Sequence, residues 1–284
     1  MADQLPISIP APISRAQQTA ILNLTRRAAR AEILPRFRKL DASDISAKTS
    51  PTDLVTAADT AAEAMIARGL QIAFPSALVI GEEAAARDPA ILDGIAEAEL
   101  CILIDPVDGT WNFANGLPVF GTMIAACRFG WPVWGMIYDP MGDDAYIAAQ
   151  DAPAMAGRRT LRTAAEKPLN QMIGYMHLGL MPQADRALAS ARLPRFAFVT
   201  NLRCSAHEYR LLAQGAVDFV LSGKMTPWDH AAGVLLCQRA GGHAAMLDGS
   251  DYTAALPDSY LLSASSKAVW DAVASQMQDL LSDE

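Results

Sequence analysis

Polar and apolar positions change period several times along the chain, and each change predicts an element. Short apolar runs recur at 77–80, 100–104, 122–129, 133–138, 145–148, 172–176, 196–200, 217–221, 243–247 and 260–263. Most are bounded by Gly, Pro or acids and are too short for helices, so they read as strands. Helical period lies between them. Ser14 with Gln17 gives a capping-box signature ahead of Ile21, Leu22, Leu24, Ala28, Ala29 and Ile33, and Pro35 ends that helix. Thr56 caps a second helix reaching about Phe74, with Ala62, Met65, Ile66 and Leu70 as its apolar stripe. Further helices are predicted over 88–99, 182–191 and 206–214, from Pro227 to just before Gly241, and from about Ser265. The break Gly130-Trp131-Pro132 predicts a hairpin, residues 1–13 an extended Pro-rich arm, and 149–169 an irregular stretch. The first half mixes helices with hairpin-linked strands, and the second alternates strand and helix. An α/β protein is expected, with an α+β domain over 1–150 and an α/β domain over 151–284.

Composition narrows the partners. The net charge is −8 and the sequence pI about 5.0, which argues against nucleic acid or an anionic membrane as a partner. An acidic protein acting on a phosphate needs a cation between itself and the ligand. Cys101, Cys127, Cys204 and Cys237 are scattered, so free thiols in a reducing compartment are expected, with no zinc site or disulfide framework. No export signal is recognised, and no apolar run approaches the roughly 18 residues of a membrane span. A cytoplasmic protein is expected.

The stretch with most chemistry is Asp105-Pro106-Val107-Asp108-Gly109-Thr110. It ends the 100–104 strand, where Pro106 is expected to stop the ladder. Two carboxylates three residues apart, with the Val107 carbonyl between them, are hard oxygen donors of the kind magnesium takes. Gly109 lets the backbone approach a ligand closely. Taken alone, an Asp-Pro and Asp-Gly loop is equally ordinary turn chemistry. Three other places carry acids. The 77–80 strand ends in Gly81-Glu82-Glu83, so Glu82 meets Asp105 if the two strands are neighbours. Asp59 sits in the first turn of the Thr56-capped helix, where an acid is also favoured by the helix dipole. Asp229 follows Pro227-Trp228 at another helix start.

In order and spacing, Asp59, Gly81-Glu82-Glu83, Asp105-Pro-Val-Asp108-Gly-Thr110 and Trp228-Asp229-His-Ala-Ala-Gly233 resemble the inositol monophosphatase family of magnesium-dependent, lithium-sensitive phosphatases. The resemblance runs from about Lys48 to Gly242. It implies a layered αβαβα sandwich, two to three Mg2+ ions per site, a small phosphorylated metabolite as substrate and a homodimer. Glu82, Asp105 and the Val107 carbonyl would hold one ion, with the Thr110 hydroxyl nearby. Asp105, Asp108 and Asp229 would hold the second, and a looser third would lie near Glu82. Asp59 and Thr110 would orient and deprotonate the attacking water, which with Glu82 makes them the expected catalytic residues. The Gly109 and Thr110 amides would receive the phosphate. Glu83 would support, and Lys48 would line the mouth.

The substrate is less well marked. Myo-inositol phosphatases usually carry an acid seven positions before the Trp-Asp aspartate, and here that position is Ser222. Where a Gly-Ser pair is typical, this chain has Arg203-Cys204-Ser205. Arg203 is expected either to clamp a second anionic group or to pair with Glu208. Lys48, Glu83, Arg203, Ser205 and Ser222 are therefore the candidate specificity residues. Inositol or other sugar-alcohol phosphates, histidinol phosphate, and nucleotide or sugar bisphosphates all remain open. A non-catalytic regulator of the same fold is the alternative of a different class. The intact acid set argues against it.

Overall fold

The structure is a computed structural model and describes residues 13–256 and 259–281. The arm expected over 1–13 lies outside them apart from Ile13, which is buried. Helix α1 (Arg15–Ala28) starts at the expected Ser14–Gln17 capping box and relaxes into a π-helical stretch, Ala29–Ile33, ahead of Pro35. A small antiparallel hairpin follows, β1 (Ile45–Ala47) with β2 (Leu54–Thr56), and helix α2 (Ala57–Ala73) then begins at the Thr56 cap. Next come β3 (Leu78–Gly81), α3 (Glu82–Arg87), β4 (Cys101–Asp108), α4 (Thr110–Ala114) and the meander β5 (Gly121–Arg128), β6 (Trp131–Asp139), β7 (Asp144–Ala149), β8 (Ala152–Ala156) and β9 (Arg159–Thr160). Strands β3 to β9 form one sheet in chain order. Its first pair is parallel and the rest are antiparallel.

The second half holds β10 (Ile173–Met176), α5 (Gln183–Arg192), β11 (Phe198–Thr200), α6 (Ser205–Ala213), β12 (Phe219–Ser222), α7 (Pro227–Arg239), β13 (His243–Met246), β14 (Leu261–Ala264) and α8 (Lys267–Met277). Its five-stranded sheet has the order β11-β10-β12-β14-β13, parallel on the β11-β10-β12 side and antiparallel beyond it.

The period-two alternation of each strand decides which layer its side chains join. In β4, Ile102 and Ile104 pack with Ile21 of α1 and Ile66 of α2. Cys101 and Leu103 point the other way, into a core shared with α6 and α7. In β12, Val220 faces that same middle core, while Phe219 and Leu221 join Val269, Trp270 and Val273 of α8. The result is helix, sheet, helix, sheet, helix, the αβαβα sandwich expected. Helix α7 lies close on β6 because Gly135 has no Cβ; one added there would sit 2.8 Å from the Ala232 Cα. All four cysteines are buried and free, as expected. Among the described residues no helix is long and apolar enough to cross a membrane.

Four local expectations change. Pro106 does not stop β4; the ladder breaks register between Asp105 and Asp108 and resumes at Asp108–Gly121. A bulge absorbs the missing N–H, and the Pro106 carbonyl is satisfied by the Thr122 hydroxyl at 2.9 Å. The helix expected over 88–99 is instead a 3-10 run, Pro89–Gly94, which Asp88 caps. The hairpin turn is Phe129-Gly130, both residues at positive φ, so Trp131 and Pro132 already belong to β6. The stretch expected to be irregular carries β8 and β9, so the boundary placed near 150 falls inside the first sheet. Alanine-rich β8, with Pro153 in it, has little strand propensity of its own and forms by pairing with β7.

Candidate active site

The site gathers where β3, β4, α2 and α7 present their ends. The β4 bulge re-aims its last residues, so Asp105 and Asp108 both face the mouth. Asp229 arrives in the first turn of α7. Asp105, Asp108 and Asp229 each bring a carboxylate oxygen to within 4.8 Å of the others, and the first two are buried. Three carboxylates so close repel one another unless protonated or bridged by a cation. Their titration carries that strain. Burial, then Glu82, Asp108 and Asp229, push the Asp105 carboxyl well above the usual carboxylate range. Burial and Asp229 push Asp108 up to about 7. All the donors are hard oxygens, so this set suits a hard divalent cation and not a soft one.

Other contacts fix these acids in place. The Asp105 Oδ1 accepts the Val107 amide at 3.1 Å. The Asp108 Oδ2 accepts the Ala206 amide at 2.5 Å and the Cys204 thiol at 3.1 Å. The acid that ends β4 thereby also satisfies the start of α6, 98 residues later. The Thr226 hydroxyl donates to the Asp229 Oδ2 at 2.5 Å.

Glu82 lies beside this cluster, outside the tight triplet. Lys48 Nζ bridges Glu82 Oε1 at 2.8 Å and Glu83 Oε1 at 2.6 Å. Burial opposes the Lys48 charge, but Glu82 and Glu83 outweigh it and raise its pKa. Lys48 was expected to line the mouth; instead its ammonium is engaged by these two acids and does not line the cavity. Even so, burial pushes Glu82 up to about 8, with Asp229 adding to the shift. Glu63 on α2, not singled out in the sequence, accepts the Glu83 and Ala84 amides at 2.7 and 2.9 Å and so sets where α3 begins. Glu63→Gln turns one acceptor into a donor against those amides. We expect it to cost about 1–3 kcal/mol, read by urea denaturation.

Asp59 is fully buried at the start of α2. Its Oδ2 accepts the Thr56 amide and hydroxyl at 2.9 and 2.5 Å, and its Oδ1 faces the Thr110 Oγ1 at 2.9 Å. The Thr110 Oγ1 is also 2.9 Å from the Val107 carbonyl. Burial pushes Asp59 up to about 6 against these hydrogen bonds. The sequence predicted a Thr56 cap and a first-turn acid; the structure gives the acid two tasks, closing the cap with one oxygen and holding Thr110 with the other. Gly109 has φ 87°, and a Cβ there would lie 2.8 Å from the Val119 carbonyl. Gly109→Ala is expected to destabilise the fold on both counts, read as a lower thermal midpoint.

Asp105, Val107, Asp108, Gly109, Thr110, Glu82 and Asp229 line one cavity of about 500 Å³. Arg203, Ser205 and Ser222 line it too, whereas Glu83 is withdrawn with Lys48. The alternative Arg203–Glu208 pair does not form. Glu208 is buried and accepts the Leu202 amide at 2.6 Å, with His177 Nε2 at 3.2 Å. His207 and His230 are structural, as expected. Each donates from Nε2 to a backbone carbonyl, Phe120 and Lys224 respectively, and accepts at Nδ1 from Arg210 and Tyr209.

Known proteins resemble this chain over most of its length. A Nus factor SuhB of Xylella fastidiosa is 30% identical over 82% of this chain and 84% of its own. An inositol-1-monophosphatase of Mesorhizobium japonicum is 32% identical over 70% of this chain and 74% of its own. In the fold itself, an IMPase of Thermotoga maritima superposes with a TM-score of 0.79 at 21% identity, covering 94% of this chain and 98% of the other. The model of the inositol monophosphatase family matches residues 15–282, and with that extent of match the chain belongs to this family.

Proposed function

We propose that the protein is a magnesium-dependent phosphomonoesterase acting on a small phosphorylated metabolite. The observation that carries this is the convergence of Asp105, Asp108 and Asp229 within 4.8 Å, beside Thr110 and the buried Asp59 that holds it. Glu82, Asp105, the Val107 carbonyl, Asp108 and Asp229 would hold two to three Mg2+ ions. Bound there, magnesium supplies charge neutralisation and Lewis-acid polarisation of the phosphoryl group.

The remaining chemistry belongs to the chain. The Gly109 and Thr110 amides begin α4 and have no acceptor within it, so they are available to the phosphate oxygens. The Thr110 Oγ1 orients the attacking water. As that oxygen takes the water proton, its own proton passes to the Asp59 Oδ1. A carboxyl that titrates near 6 is mostly ionised at pH 7.5 and so accepts it. We expect Asp59→Asn to lower kcat by about 10²–10⁴-fold with little change in KM, measured by steady-state phosphate release. At saturating magnesium the part of the acid limb of the pH–rate profile that Asp59 sets, near pH 6, should vanish with it.

The test of the function is phosphate release from a panel of inositol phosphates, histidinol phosphate, sugar bisphosphates and nucleotides, with and without magnesium. Ser222 ends β12 within the cavity, where an acid would have accepted a substrate hydroxyl. Inositol 1-phosphate is therefore expected to be turned over less efficiently than the best ester in the panel. The relatives named Nus factor favour a second reading, a regulator that binds a partner. Asp59, Glu82, Asp105, Asp108, Thr110 and Asp229 all present together favour catalysis. The homodimer implied by family likeness is part of the same proposal, and light scattering reads it.

A further inference from the structure

The cavity that holds the acid cluster also holds two cations. Arg203 and Lys224 both line it, both are exposed, and among the described residues neither forms an ion pair. The acids near them do not call for these charges. Glu82 and Glu83 already have Lys48, and the aspartate triplet suits a divalent ion.

Arg203 is held with unusual care for an exposed side chain. Its backbone is left-handed at φ 53°, a region that a residue with a long side chain rarely adopts. The Asn112 Nδ2 anchors that turn, reaching the Leu202 and Arg203 carbonyls at 2.8 and 3.3 Å. The guanidinium lies 4.2 Å over the Trp111 ring, and one of its nitrogens reaches the Thr52 carbonyl at 3.3 Å. Trp111 and Asn112 directly follow the Gly109-Thr110 turn, so the clamp on Arg203 is built from the element that faces the phosphate. A stacked guanidinium keeps its in-plane donors free, and only one is engaged here. Strain that the surroundings maintain, at a residue lining a cavity, points to use of the side chain. Lys224 is fixed through its carbonyl, which accepts from His230 Nε2 at 2.7 Å.

We propose that the substrate carries a second anionic group, a carboxylate or a further phosphate, which Arg203 and Lys224 hold while the first phosphate is hydrolysed. This rests on the phosphomonoesterase reading and narrows it. Arg203 and Lys224 are specificity residues in this account. They touch the substrate away from the reacting atoms.

The test compares esters in pairs. Glycerol 1-phosphate against 3-phosphoglycerate reads a carboxylate; inositol 1-phosphate against inositol 1,4-bisphosphate reads a second phosphate. The quantity is the kcat/KM ratio within a pair, which cancels any loss of folded enzyme. In the wild type at least one pair should favour the two-anion ester by about tenfold or more, as a charge-assisted contact allows. Arg203→Gln and Lys224→Gln should each bring that ratio toward one. Trp111→Leu, which keeps both charges but unseats the guanidinium, should lower it partway. If no ester is hydrolysed, the phosphatase reading fails, and the same ratios are then read as Kd ratios by calorimetry. Wild-type ratios near one in both pairs, or a preference that survives Arg203→Gln and Lys224→Gln, overturn the inference.

Discussion

Asp105→Asn is expected to abolish phosphate release, by more than about 100-fold in kcat/KM, since even outer partners of a metal site are commonly worth 10–100-fold. The reason lies in its neighbours. Asp105 is the buried acid on which Glu82, Asp108 and Asp229 all press. In the proposed site it would therefore be the residue best placed to serve two ions, and losing one of its charged oxygens would weaken both positions together. The same change should act oppositely on the fold. Without metal, a neutral amide spares the cost of keeping protonated, or of burying charged, a carboxyl that its neighbours oppose, so the metal-free variant should melt above the metal-free wild type. The two readouts separate a lost ligand from a lost structure. Activity within tenfold of wild type, or a lower metal-free midpoint, would count against the bridging role.

Magnesium should stabilise the protein far more at pH 8 than at pH 5. The folded pKa values of Asp59, Asp108 and Glu82 are raised to about 6, 7 and 8. An acid raised on folding holds its proton in the native state after the unfolded chain has lost it. Its stabilising contribution is complete below about pH 4 and is lost as pH rises through the folded value. Metal-free protein should thus lose stability between about pH 4 and 8, while magnesium, held by the proposed ligands, would take the place of the protons on Asp108 and Glu82. At a hundred times Kd the ion contributes about 2.7 kcal/mol, or about 4–5 °C in midpoint for a chain of this size. Burial lowers the pKa of His207 and His230, which acts in the opposite direction near pH 6. The burial part of that effect is common to melts with and without the ion. The difference between them therefore reads the carboxylates together with His177, where burial opposes the charge but Glu208, Asp108 and Asp229 outweigh it and raise the pKa. Scanning calorimetry at both pH values checks this, and an equal or larger shift at pH 5 would contradict it.

Much of this was legible in the sequence because the signals are local. The runs ending at Ile80 and Ile104 announce strands, and the acids directly after them announce where those strands lead. Thr56 and Ser14 declare their helices through cap chemistry that spans three residues. What was hidden joins distant residues. Glu63 reads as one more polar residue on α2, yet it places the start of α3 through two amides 20 and 21 positions on. Cys204 and the Ala206 amide reach Asp108 across nearly a hundred residues, and no spacing rule foretells that. Lys48 was placed in the mouth by family resemblance alone; two nearby carboxylates engage its ammonium instead. The Pro106 bulge was missed because proline marks a break in the ladder without saying whether the strand resumes. Asp229 was found only because four short motifs stood in a familiar order; its own surroundings read as a helix cap.

The most direct measurement is anomalous diffraction from crystals soaked in manganese, a hard divalent ion that reports where magnesium would sit. The account predicts strong peaks enclosed by Asp105, Asp108 and Asp229 and extending toward Glu82, and their loss in Asp105→Asn crystals. Peaks elsewhere, or none at millimolar manganese while the enzyme still releases phosphate, would contradict it.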